Sequence, residues 1–151
     1  MYMQQVSGAA ALAHRMQESC IGSRVGRLHR IVARHFDEAL RPLGLSLSQM
    51  EILGTLTVID GPVKPSEVAE ILAVERSTMS RNLTLLEQRG LVETTEHSAS
   101  GRSLTVAVTA QGTSALADAE VAWSKAQAAL VDVLGDRAPA ELDGWLDHLD
   151  G

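Results

Sequence analysis

The chain has 151 residues, 45% of them hydrophobic, and a formal net charge of −6. This length and apolar content suit one domain that buries roughly two thirds of its unfolded surface. No apolar run approaches the roughly 20 residues of a membrane span, the N terminus lacks the basic start of a signal peptide, and the single cysteine excludes an intrachain disulfide framework. We therefore expect a cytoplasmic protein.

The first predicted element is an amphipathic helix within residues 8–45. One stripe holds its apolar residues Ile21, Val25, Leu28, Val32, Phe36 and Ala39. Nearly opposite lie Arg27, Arg30, Arg34 and Arg41. The arginines form either a solvated face or a contact with phosphate or an acidic partner, and the apolar stripe requires a packing partner.

A second helix is predicted from Ser46, because Ser46-Leu47-Ser48-Gln49 matches a capping box. Asp60-Gly61-Pro62 turns the chain, and Pro65 then suits the first position of a third, short helix. Ala73-Val74 leaves room only for a tight turn before a further helical pattern that ends at Gly90. Two short helices joined by such a turn are typical of a helix-turn-helix.

The helix that precedes Gly90 has two different faces. Met79, Leu83 and Leu86 share one apolar stripe. The opposite side gathers short polar or basic residues, namely Ser77, Ser80, Arg81, Thr84 and Gln88. Such a face fits a major groove about 12 Å wide, although an ordinary solvated helix face has the same composition.

Two β-strands are predicted next, at residues 91–96 and 103–108, with the polar loop 97–102 between them. A hairpin beside a recognition helix can place an arginine in the adjacent minor groove, and Arg102 is the candidate for that contact. Helix, turn, helix and hairpin together predict a winged helix-turn-helix and nucleic-acid binding.

A long helical pattern follows Thr109. Its seam comprises Leu116, Ala119, Trp123, Ala126, Leu130 and Val133. Gly135-Asp136 ends this helix, and Pro139 starts a last one that bears Leu142, Trp145, Leu146 and Leu149. Packing across a two-fold axis would cover these apolar seams and present two recognition helices to half-sites about one DNA turn apart.

The segment from Ser66 to Thr109 resembles the DNA-binding core of the MarR family, the multiple antibiotic resistance regulators. The likeness rests on Arg-Ser-Thr-Met-Ser-Arg at 76–81, on residues 86–92, and on Val108-Thr109-Ala110-Gln111-Gly112, and it extends over nearly the whole chain. It implies a mainly α fold with a small β-hairpin, a winged helix-turn-helix with N- and C-terminal dimerisation helices. The corresponding parts of the single chain 1–151 are an N-terminal dimerisation helix (8–45), a winged helix DNA-binding core (46–108) and C-terminal dimerisation helices (109–151).

The resemblance also implies a homodimeric transcriptional regulator, more often a repressor than an activator, that is released by a small aromatic or anionic ligand or by oxidation. Its partner is a double-stranded, pseudo-palindromic DNA operator. The predicted DNA-binding residues are Arg76, Ser77, Thr78, Ser80, Arg81, Thr84 and Arg102. Arg76, on the shoulder of the polar face, is expected to meet the DNA backbone.

The predicted wing departs from the family pattern, which usually reads Asp-Pro-x-Asp-x-Arg. His97 and Ser100 stand where the two aspartates would be. Ser100 can offer Arg102 only a neutral hydrogen bond, which is weaker than a charge-assisted one. The excess acid of the chain lies in residues 109–151, which carry two cations against eight acids. Since no strong basic patch exists, we expect modest non-specific affinity for DNA.

Cys20 is a candidate redox sensor. Some relatives, the organic hydroperoxide resistance regulators, use a cysteine early in the first helix to sense peroxide, and Arg24 could favour a thiolate here. The likeness is partial, since the sequences are out of step after Cys20 and no tyrosine follows nearby. A small buried apolar residue is the alternative interpretation.

Two other classes of function remain as alternatives to DNA binding. One is a winged-helix protein-interaction module, which the altered wing and the missing basic patch favour. The other is an enzyme, for which the sequence offers no nucleophile elbow, phosphate-binding loop or paired carboxylates. The five histidines show no metal-ligand spacing, so we predict no metal and no cofactor.

Overall fold

Eight α-helices and one β-hairpin make up residues 2–97 and 103–151, the part of the chain that the computed structural model describes. The chain divides into two compact units, Met1–His35 and Phe36–Gly151. The elements in chain order are α1 (Tyr2–Ser19), α2 (Ile21–Leu40), a 3₁₀ turn (Arg41–Leu43), α3 (Leu47–Ile59), α4 (Pro65–Ile71), α5 (Arg76–Gln88), β1 (Val92–Glu96), β2 (Leu104–Val108), α6 (Ala110–Asp118), α7 (Glu120–Leu134) and α8 (Ala138–Asp150).

The predicted N-terminal helix of residues 8–45 is two helices. α1 ends at Ser19 and α2 begins at Ile21, with Cys20 as the break between them. α2 then tightens into the 3₁₀ turn, where Pro42 lacks the N–H that a continued α-helix would need. Gly44 ends that turn in the left-handed conformation, with φ of 67°.

The start of α3 confirms the predicted capping box. The Ser46 hydroxyl accepts the Gln49 amide at 3.2 Å, and the Gln49 side chain accepts the Ser46 amide at 3.3 Å. A further acceptor comes from α2, since the Asp37 carboxylate accepts the Leu47 amide at 2.7 Å. Three of the amides that a helix start leaves unpaired are thus satisfied, and the end of α2 is joined to α3.

The hydrophobic core of the second unit is built by the winged-helix elements. Each of its most deeply buried side chains comes from the segment between α2 and β2. They are Leu40, Leu53, Leu56, Val68, Met79, Leu86, Val92 and Val106. The predicted helix-turn-helix core therefore encloses apolar residues from every one of its elements.

β1 and β2 pair antiparallel, with Thr94 opposite Val106. A third segment, which the sequence did not predict, extends this hairpin. Val63 exchanges two backbone hydrogen bonds with Val106, at 3.0 and 2.8 Å. The hydrogen-bonding groups of Val106 therefore face Val63, and the backbone groups of Thr94 face the open edge of β1.

The predicted long C-terminal helix is divided at Ala119 into α6 and α7, whereas the predicted helix start at Pro139 is confirmed. Ala119 is fully buried, and its amide is shared between the carbonyls of Ala115 and Leu116. Such a shared bond tightens the last turn of α6. Among the described residues, no single helix is long and apolar enough to cross a membrane; the bent pair Ile21–Leu43 and Leu47–Ile59 passes that test together, by length and composition.

Gly112 allows α6 to approach the strand that follows α5. Thr109 begins α6, and its hydroxyl accepts the Gly112 amide at 3.0 Å and donates to the Gly90 carbonyl at 2.6 Å. A Cβ on Gly112 would lie 2.0 Å from the Leu91 carbonyl oxygen and 2.8 Å from Val108 Cγ2. Position 112 therefore has no room for a side chain, and only glycine fits there.

We predict that Gly112→Ala destabilises the protein by about 3 kcal/mol, because the added methyl group overlaps backbone that cannot move freely. Gly54→Ala in the middle of α3 is the matched control, since a Cβ there meets nothing within 4 Å. Alanine at that position should be neutral or slightly stabilising. Chemical denaturation of both variants measures the difference, and equal stabilities would contradict the proposed close contact.

Candidate nucleic-acid interface

The orientation of α5 is set by three buried side chains. Met79, Leu83 and Leu86 expose 5% or less of their surface, as their helical spacing predicts. The helix begins directly after a tight turn in which Ala73 adopts a left-handed φ of 50°. Because the apolar stripe faces the core, the opposite face of α5 is turned to solvent.

The solvent face of α5 carries most of the residues that the sequence predicted as DNA contacts. Arg76, Ser77, Ser80, Arg81 and Thr84 are exposed on this helix. The Thr84 hydroxyl donates to the Ser80 carbonyl at 2.9 Å, so its oxygen still has free capacity as an acceptor. The face is thus mainly polar and accessible.

Thr78 differs from the other predicted contacts because it is half-buried. Its carbonyl accepts the Asn82 side-chain amide at 3.1 Å, one turn further along α5. Thr78 therefore lies at the margin of the solvent face, and its side chain has less free surface for a partner.

The C-terminal end of α5 is tied to the turn that follows α2. The Arg89 guanidinium donates to the carbonyls of Gly44 and Leu43, the latter at 3.3 Å. Sequence analysis did not identify this contact, since the residues are more than 40 positions apart. A leucine or alanine at position 89 could not donate these hydrogen bonds. Arg89 therefore positions the C-terminal end of α5.

Of the predicted wing, the structure describes only the base, at His97 and Ser103. His97 donates its amide to the Ser103 carbonyl at 2.8 Å, and its Nε2 lies 2.7 Å from the Thr105 hydroxyl. His97 thus holds the base of the loop closed, although the sequence identified it only as the replacement of an aspartate. Ser100 and Arg102, the predicted minor-groove contact, lie outside the described residues.

A groove lies between α4, α5 and the hairpin. Its walls include Ser80, Thr84 and Glu87 from α5, and Thr94, Glu96 and Leu104 from the two strands. Among the described residues that line this groove, Arg76 of α5 carries a positive charge. Because acids and a base share the groove, shape and hydrogen bonds, more than bulk charge, determine what it can hold.

Cys20 belongs to the other unit and lies half-buried at the break between α1 and α2. A hydrogen bond from the Ser23 side chain lowers the pKa of the Cys20 thiol, and the backbone amides of Ser23 and Gly22 act in the same direction. The positive charge of Arg24, which the sequence suggested as the cause, contributes least to this lowered pKa.

The described residues contain no group of three His, Cys, Asp or Glu that could hold a metal ion.

The chain is similar to known transcriptional regulators in sequence and in fold. The model of the MarR family matches residues 43–103. The uncharacterized HTH-type transcriptional regulator YwoH of Bacillus subtilis is 34% identical over 70 residues, which are 46% of this chain and 50% of that relative. The match thus spans about half the length of this relative.

Solved structures cover more of the chain. The M. tuberculosis transcriptional regulator MosR in complex with DNA is 28% identical, with a TM-score of 0.73 over 87% of this chain and 97% of the other. The transcriptional repressor CouR bound to a 23-mer DNA duplex is 25% identical, with a TM-score of 0.72 over 90% and 96%. CouR from Rhodococcus jostii RHA1 has also been solved bound to p-coumaroyl-CoA.

The family model covers the helix-turn-helix and most of the hairpin, and the structural likeness covers 87% of the chain. Both agree with the eight helices and two-stranded antiparallel hairpin that the described residues form. The family and the fold are those of transcriptional regulators. Residues 43–103 thus match the MarR family, and the fold of the chain is similar to that of the transcriptional regulators MosR and CouR.

Proposed function

We propose that this protein is a homodimeric, sequence-specific DNA-binding transcriptional regulator. The observation that carries the proposal is the solvent face of α5, which presents short polar side chains and Arg81 opposite a fully buried apolar stripe. A helix anchored in this way can enter a major groove without rearranging the core. MosR and CouR, which share the fold, have both been solved on DNA.

In this proposal, each part of the interface has its own task. Ser77, Ser80 and Thr84 contact base edges or phosphates in the major groove, with Thr78 at the margin. Arg76 and Arg81 contact phosphates, and Arg102, from the loop that the sequence predicts between the strands, enters the adjacent minor groove. The operator is pseudo-palindromic, since a two-fold symmetric dimer presents two identical sets of these residues.

The terminal helices are proposed to form the dimer interface, because they expose more large apolar side chains than a single soluble chain normally does. In the second unit, the exposed residues of α7 and α8 are Val121, Trp123, Val133, Leu134, Leu142, Trp145, Leu146 and Leu149. In the first unit, α1 and α2 expose Leu12, Met16, Ile21, Val25, Leu28 and Ile31. Both sets fall within the segments 8–45 and 109–151 that the sequence assigned to dimerisation.

We further propose that the regulator is a cytoplasmic repressor, released from DNA by a small aromatic or anionic effector or by oxidation. CouR, a repressor of this fold, binds p-coumaroyl-CoA, which combines an aromatic group with an anionic carrier. A ligand of this class releases DNA when it favours a dimer whose two α5 helices no longer match the half-sites.

Arg81→Ala tests the proposed DNA contact. We expect weaker binding to all duplexes and a slope of log affinity against log salt that is smaller by about one, because one phosphate contact is lost. The control is Lys125→Ala on α7, which removes the same charge from an exposed position outside α5. Because α7 belongs to the proposed dimer interface, analytical ultracentrifugation of this control verifies that its association is that of the parent. Fluorescence anisotropy at several salt concentrations, on a duplex selected by the parent from a random pool, gives both values.

Identical affinities and slopes for the parent and Arg81→Ala would contradict the contact. If the parent selects no duplex from the pool, DNA binding itself is wrong, and the protein-interaction module becomes the better interpretation.

Leu149→Glu tests the proposed dimer interface. Leu149 is 82% exposed in the single chain, so the substitution should barely affect the fold of one subunit. If α8 lies in an interface, a buried carboxylate there should raise the dimer dissociation constant by about tenfold or more. Analytical ultracentrifugation measures it, with Val58→Glu on α3 as control, since Val58 is 86% exposed outside the terminal helices. Unchanged association of the Leu149 variant would exclude α8 from the interface.

We propose Cys20 as the redox-responsive residue, supported by the lowered pKa of its thiol and by its partial exposure. A lower pKa leaves more thiolate at neutral pH. The thiolate attacks hydrogen peroxide and breaks its O–O bond, and with one proton from solvent the products are a sulfenic acid and water. Iodoacetamide should therefore label the parent at pH 7 faster than Ser23→Ala, in which the pKa of the Cys20 thiol returns toward its ordinary value.

Mild peroxide should weaken DNA binding by the parent and should not weaken DNA binding by Cys20→Ser. Equal effects of peroxide on the two proteins would contradict the proposal.

A further inference from the structure

Glu87 occupies an unusual place for an acidic residue, because it lines the groove that faces the proposed DNA. It lies in the last turn of α5, on the same side of the groove as Ser80 and Thr84. A carboxylate there repels phosphate, so on charge alone it weakens DNA binding. Its hydrogen bonds indicate a different role.

The Glu87 carboxylate accepts two hydrogen bonds from one residue of the hairpin. Its Oε1 accepts the Thr94 amide at 3.3 Å and also the Thr94 hydroxyl. Thr94 is the central residue of β1 and lies opposite Val106 of β2. Since the backbone groups of Val106 are used by Val63, the Thr94 amide points to the open edge of β1, where Glu87 meets it.

This contact is a polar connection between α5 and β1. The chain returns from α5 to β1 through Gly90, whose left-handed φ of 70° makes a tight reversal. The reversal alone fixes where β1 begins, and a bond at Thr94, two residues into the strand, also fixes its direction. The direction of β1 in turn sets the direction of the paired strands relative to α5.

We infer that Glu87 is a positioning residue, which aligns the wing with the recognition helix so that both reach the same duplex. The inference rests on the proposed DNA-binding function and adds a residue that the sequence did not identify. It predicts an effect opposite in sign to electrostatics: removing this acid weakens specific binding, although the protein becomes less negative.

Three single variants and one double variant test the role of Glu87. Glu87→Ala should weaken binding to the parent-selected duplex by about tenfold, because both hydrogen bonds to a charged acceptor are lost. Glu87→Gln should bind at least as tightly as the parent, because its amide oxygen can accept both bonds without the charge. Thr94→Val should lose less than Glu87→Ala, and the double variant should lose no more than Glu87→Ala, since both changes remove one interaction.

Glu93→Ala is the matched control for charge. Glu93 is exposed and adjacent to Thr94 in β1, and strand alternation directs its side chain to the other face of the hairpin. Its removal changes the net charge by the same amount, and we expect binding that is equal to or slightly tighter than that of the parent. Thermal unfolding of all variants shows whether the fold is retained.

Footprinting separates a displaced wing from a damaged recognition helix. Glu87→Ala should retain protection of guanine N7 atoms in the major groove and lose hydroxyl-radical protection at the flanking minor grooves. The inference is wrong if Glu87→Ala binds as tightly as the parent, if Glu87→Gln binds as weakly as Glu87→Ala, or if the flanking protection persists. A parent that selects no duplex at all overturns the DNA-binding function, and this inference with it; a parent that binds while Glu87→Ala is unaffected overturns only the inference.

Discussion

The burial of one apolar stripe on α5 is the constraint on which the rest of the interface depends. Met79, Leu83 and Leu86 each remove nearly all of their surface from water, and full burial of such a side chain is worth roughly 1.5–3 kcal/mol. Rotation of α5 about its axis would expose these side chains, so the energy that stabilises the fold also determines which residues face outward. Ser80 and Arg81 are exposed because their neighbours cannot be.

Apolar burial fixes the rotation of α5, but it restrains sliding along the helix axis and the direction of the hairpin less strongly. Hydrogen bonds at the C-terminal end of the helix supply those restraints. Arg89 joins this end to the turn after α2, and Glu87 joins it to the centre of β1. Asp37, near the end of α2, accepts a hydrogen bond from the start of α3. Polar contacts of this kind contribute little net free energy of folding, but they orient the elements that they join.

The sequence predicted the features that depend on neighbouring residues. The capping box at Ser46, the proline start of α4, the two faces of α5 and the hairpin are local patterns, and the structure has each of them. The features that it missed depend on residues far apart in the chain: the Val63–Val106 pairing, the contact of Arg89 with Gly44, and the approach of Gly112 to Leu91. The breaks at Cys20 and Ala119 were also missed, because helical periodicity continues through both positions.

The charge distribution makes geometry more consequential here than in a strongly basic DNA-binding protein. Residues 1–108 carry equal numbers of acids and cations, and the excess acid lies in residues 109–151. In the proposed function, little affinity for DNA therefore comes from counterion release alone, and most of it comes from contacts that fit a particular duplex. When two subunits each present a helix and a wing, a small error in one hairpin is repeated by symmetry at the second half-site. An acid that costs some electrostatic attraction yet aligns β1 with α5 is consistent with such a protein, because alignment is what its binding depends on.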